Sequence, residues 1–185
     1  MEPKHMTRLQ ISKASVAASS GAHSDLIELL VACHARIRSF AQLAVAIAGA
    51  PSAVSEAEII DGCERCTRYF AEALPLHVAD EEQSVMPRLL ANAPEVASAL
   101  QTMQAEHHEH EPLLRALLTQ LRAVASAPHD LVARAALAAV AVPLQTAFEQ
   151  HLRGEEDTVF RAIRDRLTVA QRAEIVEELR ARRQL

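Results

Sequence analysis

Apolar residues recur every three or four positions along almost the whole chain, which is the spacing of a helix that buries one face. No segment shows the strict alternation of apolar and polar residues that is typical of a half-buried strand. The chain also has only four glycines and 3% aromatic residues, whereas an all-β fold needs many turns and many β-branched or aromatic side chains. The pattern therefore predicts an all-α fold, and 185 residues are enough for one domain with a sizeable core.

Breaks rich in proline and small residues divide this pattern into four long helices and a short one. We expect helices over about residues 24–48, 55–91, 94–125, 130–167 and 168–183. Ser55 with Glu58 matches the capping box that starts a helix, and so does Thr168 with Gln171.

Long helices with short connections predict an antiparallel up-down four-helix bundle. The expected organisation is a flexible N-terminal tail over residues 1–22, the bundle over 23–167 and a C-terminal helix over 168–185 that packs on the bundle. Prolines inside the long helices should bend them, since proline removes a backbone hydrogen bond; these are Pro75, Pro112 and Pro143. The basic end of the last helix is interpreted as a partner of the helix dipole.

Charge and composition exclude several classes of function. A net charge of -5 with a pI near 6.0 argues against a basic surface for binding nucleic acid. No uninterrupted apolar run reaches the roughly 18 residues of a membrane-spanning helix. The three cysteines form no disulfide framework, so we expect a reducing compartment, the cytoplasm. Cys63 and Cys66 lie on an apolar stripe, which favours core packing over redox or metal chemistry.

Polar residues interrupt the apolar stripes at one level of the predicted bundle. Each long helix contributes a histidine to its stripe, and the second and fourth helices each add a glutamate. Two buried carboxylates cost several kcal/mol each unless positive charge compensates them, and no Lys or Arg occupies these stripe positions. A bound metal would supply that charge. The set is His34, His77, Glu81, His107, His151 and Glu155.

The spacing of these residues supports the same interpretation. A separation of four residues rotates about 400° and rises about 6 Å along a helix, so His77 and Glu81 share one face, as do His151 and Glu155. The pattern is also duplicated: 43 residues separate His34 from His77, and 44 separate His107 from His151. A second glutamate follows each HxxxE pair, at positions 82 and 156. Two similar helical hairpins would therefore form two metal positions side by side.

At these residues the sequence resembles the hemerythrin-like, or HHE cation-binding, family. The resemblance covers about residues 24–167 and is carried by segments around the six residues above, such as Leu76–Glu82 (LHVADEE) and His151–Glu156 (HLRGEE). The family implies a four-helix bundle around a non-haem di-iron centre, with two irons per chain joined by carboxylates and an oxo or hydroxo bridge. One iron would take His34 and His77, and Glu81 and Glu155 would bridge to the other.

The second iron would take His107 and His151 by the same resemblance. The chain departs from the oxygen-carrying members at one position, since Glu111 stands where they have a further histidine, four residues after His107. Glu111 is predicted as a replacement ligand, because it forms a third HxxxE pair with His107. His110 is the alternative, and in a third interpretation both side chains are solvated.

The resemblance implies binding of, or reaction with, O2, peroxide or NO, or sensing of oxygen or iron. Peroxide-decomposing and oxidase activities both stay open, as do zinc and manganese in place of iron. A sensor would act through a separate protein partner. One alternative is a ferritin-like di-metal carboxylate oxidase, although that class uses Glu-x-x-His, the opposite order. The other alternative is a metal-free helical interaction module.

Overall fold

The computed structural model describes residues 25–184, and within that range the protein is all-helical, without a strand. The predicted all-α class is therefore confirmed. The predicted tail over residues 1–22 lies outside the described residues. The helices are α1 (Leu26–Ala48), α2 (Glu56–Arg68), α3 (Leu74–Asp80), α4 (Met86–Asn92), α5 (Ala97–Ser126), α6 (Leu131–Gly154), α7 (Phe160–Arg166) and α8 (Val169–Arg182).

Polar side chains start these helices where the sequence predicts. Both capping boxes form, at Ser55 with Glu58 and at Thr168 with Gln171. Asp130 caps α6 by accepting a hydrogen bond from the Val132 backbone N–H at 2.8 Å.

Two of the long helices contain π-helical turns, which the sequence analysis missed. Tyr69–Ala73 joins α2 to α3, Glu81–Val85 joins α3 to α4, and Glu155–Val159 joins α6 to α7. Pro75 and Pro87 each follow a π turn as the second residue of the next α-helix, where a missing N–H costs little. Pro112 and Pro143, by contrast, lie inside uninterrupted helices.

The long helices contact each other in a ring: α1 packs against α2 and α6, and α5 packs against the same two. Their buried apolar residues form two separate clusters, one containing Ile37 and Phe148 and the other containing Leu30 and Phe160. His34, His77 and His107 each fall between a stretch of one cluster and a stretch of the other, and His151 with Glu155 lies where the last long helix passes from one cluster to the other. The molecule therefore has a polar layer between two apolar layers.

Helix α8 is tied to the second long helix by charged side chains. The fully buried carboxylate of Asp80 accepts hydrogen bonds from Arg182 at 2.9 Å and from Arg183 at 2.6 Å. Ser84, in the π turn after Asp80, donates to Glu178 at 2.5 Å. The basic end of α8 thus neutralises a buried carboxylate, and the sequence-based interpretation of it as a partner of the helix dipole missed this role.

Two helical segments, Leu26–Ala48 and Leu131–Arg166, are long and apolar enough to cross a membrane by length and composition alone. The core helix of a protein without membrane segments passes the same test, so this is weak support for a membrane role. Both segments also carry members of the buried polar layer.

Candidate metal centre

The polar layer brings together the six histidines and glutamates that the sequence places on core stripes. Each of these side chains is buried, with at most 8% of its surface exposed. The four long helices supply them. Helix α1 carries His34 and α5 carries His107. One HxxxE pair lies in α3 and in the π turn after it, and the other lies at the end of α6 and in the π turn after it.

Both glutamates stand at the first position of a π turn. Glu81 opens the turn Glu81–Val85, and Glu155 opens the turn Glu155–Val159. Each carboxylate reaches back to the histidine four residues earlier: His77 Nε2 lies 3.2 Å from Glu81 Oε1, and His151 Nε2 lies 3.1 Å from Glu155 Oε1. The sequence duplication is therefore reproduced as a duplicated local geometry, of a kind that is frequent at functional sites.

The site has two halves, one with His34 and His77 and the other with His107 and His151. Glu81 and Glu155 each direct one oxygen to each half. On one side His34 Nε2 lies 3.2 Å from Glu155 Oε2 and 3.7 Å from Glu81 Oε1. On the other side His107 Nε2 lies 3.4 Å from Glu81 Oε2 and 3.8 Å from Glu155 Oε1. Two groups of residues have ligand atoms close enough to surround one ion: His34, His77, Glu81 and Glu155, and His107, His151 and Glu155.

The donor atoms of this layer fit metal cations. Most of them are buried and form no hydrogen bond within the described residues: Nε2 of His34, His77 and His107, and both oxygens of Glu81 and of Glu155. Ligand atoms about 2.1 Å from one ion and at right angles lie about 3 Å apart, close to the distances found here. Buried polar atoms without partners are costly. One cation in each half of the site would give these nitrogen and oxygen atoms a partner.

Carboxylates outside the layer hold the far side of three of the histidine rings. The Nδ1 atoms of His34, His107 and His151 lie 2.8, 2.9 and 2.7 Å from Glu156, Glu82 and Glu106 respectively. Such contacts fix the orientation and tautomer of a metal-binding imidazole. Positions 82 and 156 appeared in the sequence only as part of the duplication. Glu106 gave no signal beyond its place before His107, because only the packing of α5 on α6 shows that it reaches His151.

The fourth histidine, His77, has a different neighbour. Both of its ring nitrogens are buried and have no hydrogen-bonding partner within the described residues. The nearby thiol of Cys33 is partly exposed and accepts a weak hydrogen bond from Arg36 at 3.7 Å. Cys63 and Cys66, in contrast, are buried in the apolar core, as the sequence predicts, and burial raises their pKa values to about 11 and about 12.

The carboxylates dominate the electrostatics of the histidines. Burial lowers the pKa of His34, but the negative charges of Glu155 and Glu81 beside the ring outweigh burial and raise the pKa to about 10. Burial likewise lowers the pKa of His107, and the neighbouring carboxylates of Glu81 and Glu82 outweigh it and raise the pKa to about 9. Protons on these rings therefore compete with cations for the same nitrogens.

The structure places Glu111, the predicted replacement ligand, outside the polar layer. Its side chain is 60% exposed and pairs with Arg115, four residues later on the same helix, at 3.3 Å. His110 turns inward instead and is only 7% exposed. Two positions one residue apart differ by about 100° around a helix, and the buried side of α5 includes His110 but not Glu111.

His110 borders a small cavity beside the polar layer. The cavity measures about 30 Å³, and its walls include three histidines of the layer, His77, His107 and His151. Apolar side chains complete the walls: Ile37, Leu74, Val78, Leu114, Phe148 and Leu152.

Comparison with known proteins agrees with this geometry. The family model of the hemerythrin HHE cation binding domain matches residues 25–163, a span that contains all six residues of the layer. An uncharacterized protein of Haemophilus influenzae (strain ATCC 51907 / DSM 11121 / KW20 / Rd) is 28% identical over 104 residues, which is 56% of this chain and 60% of that relative. The matched stretch thus spans less than two thirds of the relative. The chain belongs to the hemerythrin HHE cation-binding domain family.

Proposed function

We propose that the protein is a non-haem di-iron protein of the hemerythrin type that binds or reacts with O2, peroxide or NO, or senses oxygen or iron. One observation supports this above all: Glu81 and Glu155 each direct one oxygen to a histidine pair on either side. Two bridging carboxylates between two imidazole pairs suit two adjacent cations. We include in the proposal that the four long helices form an antiparallel up-down bundle around this pair.

The donor set favours iron over other metals. Two imidazoles with carboxylate oxygens and open positions are the ligands of non-haem Fe(II) sites that meet O2. Structural zinc instead prefers four ligands in a closed tetrahedron, and manganese prefers mostly oxygen ligands. Zinc and manganese are the outcomes that metal analysis would distinguish from iron.

The residues around the polar layer would orient its imidazoles and keep bulk water away from a metal-bound small ligand. When bound, iron supplies the electrons that O2 or peroxide chemistry needs. The chain holds three imidazoles in one orientation through Glu82, Glu106 and Glu156. The apolar clusters on both sides keep bulk water away, which strengthens every electrostatic contact in the layer. The three free cysteines support a reducing location such as the cytoplasm.

Metal content and the visible spectrum of the purified protein test the proposal directly. We expect about two irons per chain and oxo-to-iron absorption bands in the oxidised protein. Adjacent residues provide a matched pair of variants, because His107 is buried in the layer while His108 is exposed and forms a hydrogen bond with the Gln104 backbone carbonyl of its own helix at 2.8 Å. His107→Ala should lose iron, whereas His108→Ala should retain it. Colourless wild-type protein without a transition metal would contradict the proposal.

The two alternatives predict different results. A ferritin-like oxidase would have more glutamate than histidine around each metal, whereas each half here has two imidazoles. A metal-free interaction module predicts that His77→Ala leaves stability unchanged or raises it, since the replacement removes a buried polar ring. Decomposition of hydrogen peroxide by the iron-loaded protein, and oxidation of ferrous iron, would separate peroxide-decomposing from oxidase activity.

A further inference from the structure

The cavity beside the polar layer has the dimensions of a site for very small molecules. A space of about 10–15 Å³ on the same measure holds one water molecule, and this cavity measures about 30 Å³. It can therefore hold a molecule of two or three heavy atoms, but no aromatic or sugar-sized substrate. Its walls are histidines of the layer on one side and apolar side chains on the other.

His110 is the polar wall residue that does not belong to the candidate metal centre. Its ring packs edge-on against Phe148 and against His151, with both pairs of ring centroids 5.2 Å apart. These two contacts hold the ring in place at the cavity. Among the residues that the structure describes, no hydrogen bond or ion pair involves the His110 side chain. Unlike most ligand atoms of the polar layer, the His110 ring nitrogens are not fully buried, so they can meet a molecule that enters the cavity.

His110 also lies outside the set that surrounds the second metal position. The ligand atoms of His107, His151 and Glu155 lie within 4.8 Å of one another, and no His110 nitrogen joins this set. His110 is thus placed next to the metal position without belonging to it. A molecule in the cavity would be next to His110 and also next to His107 and His151 of the second metal position.

We propose that His110 is a ligand-binding residue, whose imidazole forms a hydrogen bond with the two- or three-atom molecule that occupies this cavity. The inference rests on the proposed function, because the molecule would be bound to a metal held by His107 and His151. It narrows the substrate class to species such as O2, NO and peroxide, which are small and have an atom able to form that hydrogen bond. A larger molecule would have to displace side chains of the cavity wall.

Azide, a three-atom anion, is the probe for the ferric protein, and NO is the probe for the ferrous protein. We expect His110→Leu to retain the wild-type iron content but to bind azide about 3- to 10-fold more weakly, the factor that one hydrogen bond contributes. His110→Gln, which keeps a polar group, should recover part of the affinity. His108→Leu is the control on the exposed face of the same helix, and it should match the wild type.

A spectroscopic measurement separates a hydrogen bond from a change in cavity shape. The vibrational frequency of the bound azide or NO should shift on transfer to D2O in the wild type, and this shift should disappear in His110→Leu. Unchanged affinity and an unchanged isotope shift would overturn the inference. Loss of iron from His110→Leu would also overturn it, since His110 would then be a metal ligand. Absence of iron from the wild-type protein would instead refute the proposed function.

Discussion

At the scale of single residues, the four histidines of the polar layer differ in what supports them. Three rings have a carboxylate at Nδ1, whereas the Nδ1 of His77 has no hydrogen-bonding partner within the described residues and has the Cys33 thiol nearby. Such outer contacts commonly alter metal affinity or activity 10- to 100-fold when they are removed. A thiol is a weak hydrogen-bonding group, so its effect should fall at the lower end of that range.

Replacing Cys33 tests this support. We expect Cys33→Ala to weaken cation binding by up to about 10-fold, because the His77 ring loses a hydrogen-bonding side chain near its outer side that could orient it when a cation is bound. Cys33→Ser should recover most of the affinity, since serine keeps a hydrogen-bonding group at the same place. Competition with a chelator of known affinity measures both. Cys63→Ala, in the apolar core away from the layer, is the control for a general loss of packing, and equal affinities of Cys33→Ala and wild type would show that the thiol has no positioning role.

Residue identities could be predicted better than residue directions. The helical period and the cost of buried carboxylates were enough to select His34, His77, Glu81, His107, His151 and Glu155. The choice between His110 and Glu111 was not predictable, because neighbouring positions on one helix differ only in rotation. The register of α5 against its neighbours decides it, and that register depends on packing across the whole layer.

At the scale of elements, the sequence predicted where helices begin and end but not how they depart from regular α-helix. Serine, aspartate and threonine caps are local signals, so both capping boxes were correct. The π turns at Glu81 and Glu155 are not local signals. Their sequences, EEQSV and EEDTV, share two glutamates, a hydroxyl side chain and a final valine, but the third π turn, YFAEA, matches them at none of these positions. No common motif therefore predicts a π turn from sequence.

The attachment of α8 gives a prediction at this scale. Arg182→Ala combined with Arg183→Ala would leave the fully buried Asp80 carboxylate without its two guanidinium partners. Breaking a buried ion pair typically lowers the free energy of unfolding by about 3–5 kcal/mol. Urea-induced unfolding measures the change.

A matched variant on the same helix is the control for that experiment. Arg180 is partly exposed and its side chain pairs with Glu177 on α8 itself, so Arg180→Ala should change the free energy of unfolding by less than about 1 kcal/mol. Adding Asp80→Asn to the double arginine variant should recover part of the loss, because the unpaired charge is removed. A double variant as stable as Arg180→Ala would mean that α8 does not stabilise the second long helix.

At the scale of the whole molecule, the polar layer divides the apolar interior in two, and folding must bring six ionisable side chains between the two clusters. Protonated histidines compensate the glutamates in the absence of a cation, since the pKa of His34 is raised to about 10. A cation that binds the folded state better than the unfolded chain adds stability in proportion to its affinity and concentration.

Metal removal should therefore lower the melting temperature. At a free cation concentration 100 times the Kd, binding adds about 2.7 kcal/mol. For a chain of this size that corresponds to a rise of roughly 5–10 °C over the metal-free protein. Differential scanning calorimetry with and without Fe(II), under anaerobic conditions, measures the shift. His107→Ala should show a much smaller shift, and an equal shift in both proteins would place the stabilising cation elsewhere.

The two glutamates that face both histidine pairs have a consequence for how the site fills. When one position is loaded, Glu81 and Glu155 are fixed in the orientation that the second position needs, so the second cation meets half of its protein ligands already in place. The conformational entropy of the Glu81 and Glu155 side chains is therefore lost when the first cation binds and not again when the second binds. Loading should therefore be cooperative, and half-filled protein should be scarce at every stage of a titration.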